Sequence, residues 1–209
     1  MPFFFGRTSP TGTECAPLVR PRSPDFPMPI RHSQPDMFPA DLLADDRVDG
    51  DWAAFYLLAR REKDFMRRLR AMQIAHYGPT LVKRYRSPGG RMRESQIPLF
   101  SGYVFVRGTK DDFSRAMTTN CVSRRIDVAD SALLIADLHQ IRRLILLKAP
   151  LTPEARLQPG QWVRVRNGPF AGLEGTILKR HGETRLVVAV RFLQQGASIL
   201  LEDCEVEPA

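Results

Sequence analysis

The segment PLFSGYVFVR, from Pro98 to Arg107, is the element around which we expect this chain to fold. It is rich in aromatic and β-branched side chains, and Pro98 stands where a strand can begin without losing a ladder hydrogen bond. Strand alternation divides it into two faces, Leu99, Ser101, Tyr103 and Phe105 on one and Phe100, Gly102, Val104 and Val106 on the other, unless Gly102 marks a bulge. Because both faces are apolar, this strand is either central between layers or has one face reserved for a partner.

Positive charge is concentrated in the middle of the chain. Of the 209 residues, 31 are Lys or Arg and 23 are Asp or Glu, a net charge of +8. Residues 51–150 hold nineteen of the cations and nine of the anions, whereas residues 1–50 hold five and seven and residues 151–209 hold seven of each. A basic domain beside a neutral one indicates that the first lies near nucleic acid or another polyanion. A charge excess that serves only solubility is the alternative.

Signals for catalysis, metal binding and membranes are missing from the sequence. The four histidines lie in unrelated contexts, and there is no HExxH, GxSxG or Walker motif. Cys15, Cys121 and Cys204 are isolated, without a CxxC pair. No apolar run approaches the roughly 18 residues of a membrane span, and MPFFFG is too short for a signal peptide. We therefore expect a soluble cytoplasmic protein, neither an enzyme nor a metalloprotein, with no cofactor and no membrane partner.

The N-terminal fifth of the chain is rich in proline. Nine of the seventeen prolines lie in residues 1–39, without apolar periodicity. Such a segment cannot bury enough surface to fold, so residues 1–50 are predicted to be a disordered extension. A short acidic helix over residues 37–49 is the alternative for its last part.

Residues 51–147 predict a mixed α and β domain. Strands are expected over residues 53–59, 80–85 and 121–128, and helices over residues 62–73, 111–119 and 133–147. In the first helix Phe65, Met66, Leu69 and Met72 face inward, while Arg60, Lys63, Arg67 and Arg70 line a basic outer face that is either solvated or contacts phosphates.

A charged hairpin precedes the central strand. Two arms meet at Ser87-Pro88-Gly89-Gly90, and the tip carries the densest group of cations in the protein: Lys83, Arg84, Arg86, Arg91 and Arg93. These side chains are candidates for contacts to a nucleic-acid backbone, which position a protein without reading sequence. Tyr85 adds one possible stacking surface.

The last quarter of the chain reads as all β. Residues 148–158 contain two prolines and no periodicity, which is typical of a linker. Strands follow over residues 161–166, 174–179, 185–193, 197–201 and 204–206. Five short strands in about fifty residues predict a small barrel, since closure avoids exposed edges.

Two segments resemble the modules of NusG-type transcription factors. Pro159 to Ile177, PGQWVRVRNGPFAGLEGTI, resembles the KOW motif, with the loop Gly168 to Gly172 between two strands. Residues 55–106 resemble the N-terminal NGN domain of that family, with PLFSGYVFV in place of its P-x-F-P-G-Y-V-x-V signature. Order and spacing agree over residues 52–206. Ser101 stands where the family has proline, and the segment resembles the specialised RfaH-like paralogues at least as closely as the housekeeping factor.

The resemblance implies a fold, a domain division and a set of partners. The fold class is α+β: an α/β sandwich with an antiparallel sheet, joined by a linker to a five-stranded SH3-like β-barrel. The NGN-like domain would occupy residues 51–147, the linker 148–158 and the KOW domain 159–209. The first domain would dock on the RNA polymerase clamp through an apolar pocket lined by Phe100, Tyr103, Phe105 and Tyr56. The alternative is that Phe100, Tyr103 and Phe105 are core residues, and alternation along the strand predicts this for some of the three. The KOW domain would recruit Rho or a small-subunit ribosomal protein through Phe170, Phe192, Leu193 and Gln195.

Two functions follow from these expectations. The first is a monomeric, non-enzymatic factor that binds RNA polymerase and modulates elongation, pausing, termination or antitermination. The second is a ribosome-associated or RNA-binding KOW protein that acts through its basic patch. Affinity for free RNA above that for polymerase would favour the second.

Overall fold

The computed structural model describes residues 35–44, 50–154, 160–180, 182–201 and 205–208. Their helices and strands are β1 (Met37–Phe38), β2 (Asp51–Leu57), α1 (Glu62–Ala71), β3 (Ala75–Tyr77), β4 (Thr80–Arg86), β5 (Met92–Pro98), β6 (Tyr103–Gly108), α2 (Lys110–Met117), β7 (Val122–Asp127), α3 (Ser131–Leu146), β8 (Thr152–Glu154), β9 (Trp162–Val165), β10 (Glu174–Arg180), β11 (Glu183–Val190), a 3-10 helix (Arg191–Leu193), β12 (Gln195–Leu200) and β13 (Val206–Pro208). The α+β fold class predicted from the sequence is confirmed.

The first sheet has five antiparallel strands in the order β1-β3-β6-β2-β7. Strand β6 therefore lies at the centre, as its two apolar faces predict. The predicted continuous strand over residues 98–107 is wrong in one respect, because β5 ends at Pro98 and β6 begins at Tyr103. The intervening residues turn the chain, and Gly102 adopts a φ of +80° that favours glycine.

The two faces of this sheet are covered by different layers. On one face Val104 and Val106 pack with Phe55 of β2, Phe65 of α1 and Phe113 of α2. On the other face a second cluster joins the sheet to α3 and to the C-terminal strands. Its members from the first 150 residues include Trp52, Ala54, Tyr77, Phe100, Phe105, Leu134, Leu138, Ile141 and Leu144. Burial of both faces explains why β6 is apolar throughout.

Residues 35–44, named here the strap, cross the α3 side of the sheet. Leu42 is fully buried, and Met37 and Phe38 pair with β3. The prediction of disorder over residues 1–50 is wrong for this part, and so is the predicted helix over residues 37–44. The prolines interrupt any apolar periodicity, so the sequence pattern does not show that this segment folds. Three apolar side chains are nevertheless enough to anchor ten residues on an existing sheet. The rest of the extension, residues 1–34 and 45–49, lies outside the described residues.

Side chains from two helices fasten the strap. Arg70 of α1 donates to the carbonyl oxygen of Met37 at 3.1 Å, and its guanidinium lies 5.4 Å from the Phe38 ring centre. From α3, Arg142 donates to the carbonyl oxygen of Ala40 at 3.2 Å, and His139 Nε2 lies 2.9 Å from the carbonyl oxygen of Leu43. Arg70 therefore belongs to this anchor rather than to the predicted basic outer face of α1.

The C-terminal module is a six-stranded antiparallel sheet in the order β13-β9-β10-β11-β12-β8. Its interior side chains are Val163, Val165, Leu173, Leu186, Val188, Val190, Ala197 and Ile199. The sequence predicts five strands, and β8 is the sixth. Because Thr152–Glu154 pairs with β12, this part of the predicted linker belongs to the module. Residues 155–158 of the linker lie outside the described part of the chain.

Candidate functional site

The turn between β5 and β6 is held in place by β2 and α1. The carbonyl oxygen of Gly102 accepts a hydrogen bond from the Leu57 backbone N–H at 2.8 Å, and its own N–H donates to the Glu62 carboxylate at 2.9 Å. A Cβ atom at Gly102 would lie 3.2 Å from Cε2 of Tyr56. The turn therefore places backbone directly against the Tyr56 ring, which only glycine allows at this distance and φ.

Two tyrosines lie beside this turn. Tyr56 of β2 and Tyr103 of β6 are cross-strand partners, and their ring centres are 5.0 Å apart at an interplanar angle of 50°. The Arg124 guanidinium lies 5.3 Å from the Tyr56 ring centre. Tyr56 is 37% exposed and Tyr103 is half-buried. This pair presents aromatic surface with polar hydroxyls, a combination enriched where proteins bind one another.

A cavity of about 710 Å³ opens next to this pair. Its walls come from the end of β2, the start of α1, the end of β5 and the turn, and include Tyr56, Arg60, Lys63, Ile97, Pro98 and Gly102. The cavity, which we name the tyrosine cavity, thus combines aromatic and apolar walls with two cations and with the Glu62 carboxylate, which already accepts the Gly102 N–H. Such a concave site fits a partner with apolar and acidic side chains.

The structure divides the four residues predicted to bind polymerase. Phe100 and Phe105 are buried, with ring centres 6.1 Å apart in an edge-to-face contact, and both belong to the core cluster beneath α3. Their predicted place in an exposed pocket is therefore wrong, because α3 and the strap cover that face of the sheet. Tyr56 and Tyr103 remain available at the surface.

One acid on α1 compensates part of the positive charge of this helix. Asp64 forms ion pairs with Arg67, with Arg68 at 3.2 Å and with Arg61 at 3.6 Å. The hydrogen bond from Arg67 lowers the pKa of the Asp64 carboxyl, so the acid stays ionised near neutral pH. Among the described residues, no acid pairs with Arg60 or Lys63, and both line the tyrosine cavity.

Strand register divides the cations of the β4–β5 hairpin between its two faces. Lys83, Tyr85 and Arg93 share one face, because Tyr85 pairs with Arg93 and Lys83 lies two residues before Tyr85. The Tyr85 ring is 44% exposed between the two cations. We name these three residues the basic face.

The other face of the hairpin carries Arg84 and Arg86. Arg84 donates from Nε to Glu94 at 2.7 Å, so its charge is partly compensated. Arg91 lies in the turn, where its carbonyl oxygen accepts hydrogen bonds from the backbone N–H and the hydroxyl of Ser87. All five predicted cations are exposed, and the structure brings Lys83 and Arg93 together beside an aromatic ring.

The four predicted partner residues of the C-terminal module are all partly buried. Phe170, Phe192 and Leu193 pack against the core cluster that also contains α3. Gln195 begins β12 and pairs with Val190. These side chains are therefore not a free surface in this conformation, since neighbouring core residues cover part of each.

Sequence reasoning missed Glu62 and Asp137. Glu62 holds the turn at Gly102, and Asp137, which is 1% exposed, pairs with Arg191 of the C-terminal module. An acid in the first turn of a helix and an acid within the apolar stripe of a helix are the signals that could have indicated them.

Neither a metal site nor a membrane span emerges from the described residues. No three His, Cys, Asp or Glu side chains within them are grouped to hold a metal ion. None of the helices in the described part of the chain has the length and apolar character needed to cross a bilayer.

Comparisons with known proteins match both modules. Residues 50–145 match the family described as transcription termination factor nusG, and residues 159–190 match the KOW motif. The transcription termination/antitermination protein NusG of Escherichia coli strain K12 is 29% identical over 129 residues, which cover 58% of this chain and 71% of that protein. The NusG protein of Yersinia pestis is 28% identical over 127 residues, covering 57% and 70%.

A solved structure described as "Crystal Structure of MjSpt4:Spt5 complex conformation B" covers 76% of this chain and 97% of its own. Its identity is 16% and its TM-score is 0.28. The two family matches follow each other in the order predicted from the sequence. Over residues 50–145 and 159–190, this chain is similar to the NusG family of transcription termination and antitermination proteins.

Proposed function

We propose that this chain is a transcription factor without catalytic activity that binds RNA polymerase and modulates elongation, pausing, termination or antitermination. Similarity to the NusG family supports a role in transcription, because the relatives are named as termination and antitermination proteins. The observation that carries the binding proposal is the Tyr56–Tyr103 ring pair, in which Tyr56 is 37% exposed and lines the tyrosine cavity while Tyr103 is half-buried beside it. The apolar wall, the aromatic ring and two cations that have no acidic partner among the described residues together form a surface suited to a protein partner.

Binding at the tyrosine cavity would place the basic face near nucleic acid. The wall of the cavity includes Ser95, Gln96 and Ile97 of β5, so the hairpin extends directly from the docking surface. If the chain binds polymerase at this cavity, the hairpin would hold Lys83, Tyr85 and Arg93 next to the nucleic acid that polymerase carries. Those side chains suit phosphate contacts and one stacked base, which add affinity without sequence specificity.

The mechanism follows from differential binding. A factor that bridges the polymerase clamp and the bound nucleic acid binds the closed conformation better than the open one. It therefore shifts the equilibrium toward the closed, elongating state by the difference in its binding free energies. We include recruitment of a further factor, Rho or a small-subunit ribosomal protein, through Phe170, Phe192, Leu193 and Gln195 as part of this proposal.

Co-purification with RNA polymerase tests the docking surface. Tyr56→Ala and Tyr103→Ala should each weaken polymerase binding about thirtyfold, because truncating one central aromatic residue of an interface costs about 2 kcal/mol. Tyr85→Ala is the matched control, since Tyr85 is also an exposed tyrosine but lies on the hairpin. In the absence of nucleic acid it should leave binding unchanged.

The result that refutes docking is unchanged polymerase binding by Tyr56→Ala and Tyr103→Ala proteins that keep the wild-type circular dichroism spectrum. The rival function, an RNA-binding protein, predicts a different outcome. In that case affinity for free RNA would exceed affinity for polymerase and would fall steeply with salt.

A further inference from the structure

Asp137 of α3 is a buried acid held by the C-terminal module. The residue is 1% exposed, and its carboxylate accepts hydrogen bonds from the Arg191 backbone N–H at 3.0 Å and from Arg191 Nη2 at 2.7 Å. Arg191 Nε adds a third bond at 3.1 Å. One residue of the module thus supplies backbone and guanidinium donors to both carboxylate oxygens, which is a specific way to recognise an acid.

The groups that hold Asp137 are organised within the C-terminal module itself. The Arg191 guanidinium lies 5.4 Å from the Trp162 ring centre, so a residue of β9 orients it. Arg191 also begins the 3-10 helix that follows β11, which fixes the direction of its backbone N–H. A carboxylate from another molecule would meet the same donors, because none of these groups comes from α3.

Two further polar contacts lie on the same side of α3. Gln140 Oε1 accepts a hydrogen bond from the Glu174 backbone N–H at 2.7 Å, and Arg143 donates to the carbonyl oxygen of Ala171 at 2.6 Å. Together with Asp137 these side chains follow one another at intervals of three residues, so they share one side of the helix. The module contributes backbone groups to both contacts. The module therefore binds α3 through hydrogen bonds to side chains on one side of that helix.

Apolar side chains complete the pattern. Leu134, Leu138 and Ile141 are buried in the cluster that contains the interior of the C-terminal module, and α3 packs against β11. With Asp137 they form the helical pattern Leu-x-x-Asp-Leu-x-x-Ile. A buried acid flanked by apolar residues at helical spacing is a distinctive ligand, because any other site would leave its charge unpaired.

We propose that the C-terminal module has a binding site for an amphipathic helix of a partner protein, and that this helix carries a carboxylate between apolar residues. The site consists of Arg191 and the backbone of Ala171 and Glu174, and we name it the Arg191 face. In this structure α3 occupies the site as an internal ligand. Phe170, Phe192 and Leu193 pack against the same cluster, so a partner that uses them competes with α3. The inference goes beyond the proposed function and does not depend on binding to polymerase.

The short connection makes the internal ligand a strong competitor. α3 ends at Leu146 and β8 begins at Thr152, so only residues 147–151 separate the helix from the module. A ligand tethered this closely acts at an effective concentration in the millimolar range. The wild-type chain should therefore resist a free helix until its own α3 is released.

A labelled peptide of residues 131–147 is the probe for this site. The full chain carrying Asp137→Arg, which sets two like charges against each other, should bind the peptide at least tenfold more tightly than the wild-type chain does. Asp137→Asn, which keeps the size of the side chain, gives a second opened variant. Asp111→Asn, an exposed acid-to-amide change on α2, is the matched control and should bind like the wild type.

Two comparisons show whether binding uses the Arg191 face. Adding Arg191→Ala to the Asp137→Arg chain should abolish the increase in affinity for the peptide. A peptide that carries Asp137→Lys should bind the Asp137→Arg chain at least tenfold more weakly than the unchanged peptide does. The proposal is overturned if neither Asp137 variant binds the peptide at least tenfold more tightly than the wild type. It is also overturned if the Arg191→Ala chain retains the gain. Polymerase co-purification is a separate readout, so failure of one proposal leaves the other measurable.

Discussion

Acid should lower the free energy of unfolding of the part of the chain that contains the five-stranded sheet, the α/β module, through protonation of His76. This residue lies in β3 between Phe38 of the strap and Val106 of β6, and it is completely buried. Its ring stacks on Phe38 with centres 6.0 Å apart, and Nδ1 lies 2.9 Å from the carbonyl oxygen of Ile74. Among the described residues nothing accepts or donates a hydrogen bond at Nε2. A second proton on the ring would therefore be buried without a partner.

Burial lowers the pKa of His76 from 6.5 to about 4, and the neighbouring Arg70 charge acts in the same direction. Between these two values the unfolded chain binds a proton that the folded chain does not. The free energy of unfolding therefore falls as the pH falls through this window. Above pH 6.5 and below about pH 4 the contribution of His76 no longer changes with pH, and below about pH 4 the full loss is retained. The shift corresponds to a loss of about 3 kcal/mol over the window.

Urea unfolding at a series of pH values from 7 to 4 measures this loss. The variant His76→Asn keeps a donor near the position of Nδ1 but has no proton to bind. Other titrating groups cancel when the free energies of unfolding of wild type and variant are subtracted at each pH. A Trp162→Phe background leaves Trp52, which is buried in the α/β module, as the fluorescent reporter.

The stability advantage of the wild type over His76→Asn should shrink by about 3 kcal/mol between pH 7 and pH 4. His139→Asn is the control, because it changes a partly exposed histidine and retains His76. Its free energy of unfolding is measured at the same pH values, which gives the effect of a histidine-to-asparagine change outside β3. A wild-type advantage over His76→Asn that stays constant from pH 7 to pH 4 would refute the reasoning.

Three further predictions concern the turn, the strap and the hairpin. Gly102→Ala should lower the free energy of unfolding by about 1 to 2 kcal/mol, because a Cβ atom at positive φ is strained, and thermal unfolding measures this. Leu42→Ala should lower it by about 3 kcal/mol in urea unfolding, whereas a strap that does not pack would make the change neutral. Replacing Lys83 and Arg93 together with alanine should reduce the salt dependence of single-stranded DNA binding by about 1.4 in the log–log slope. Arg84→Ala should change that slope less than Lys83→Ala or Arg93→Ala does, since Glu94 already pairs with Arg84. An equal effect of the three replacements would contradict the division of the hairpin into two faces.

Local patterns of the sequence predict much of this protein. The apolar run over residues 53–59 identifies β2, the turn residues identify the β4–β5 hairpin, and the apolar stripe of α3 identifies the longest helix. These features depend on residues close to one another in the chain. The strands β1, β3 and β8 escape this kind of reasoning, because each is too short to show a period and is stabilised by pairing with a strand distant in sequence.

The candidate site shows the same division. The sequence indicates aromatic residues around PLFSGYVFVR as the docking surface, and Tyr103 with its neighbour Tyr56 remains exposed enough to serve. Which aromatic side chains are covered depends on α3 and the strap, and alternation along one strand carries no information about those layers. For this reason Phe100 and Phe105 belong to the core although their sequence context resembles that of Tyr103.

Local sequence patterns establish the apolar segment at the centre of the sheet, the cations of the hairpin, the order of the two modules and their resemblance to a known family. Three features became visible only in the folded chain: residues 35–44 pair with the sheet, Lys83 and Arg93 share a face with Tyr85, and Asp137 pairs with Arg191. The physical reason is that secondary structure and charge density follow from neighbouring residues, whereas burial and the pairing of a charge depend on which distant elements meet.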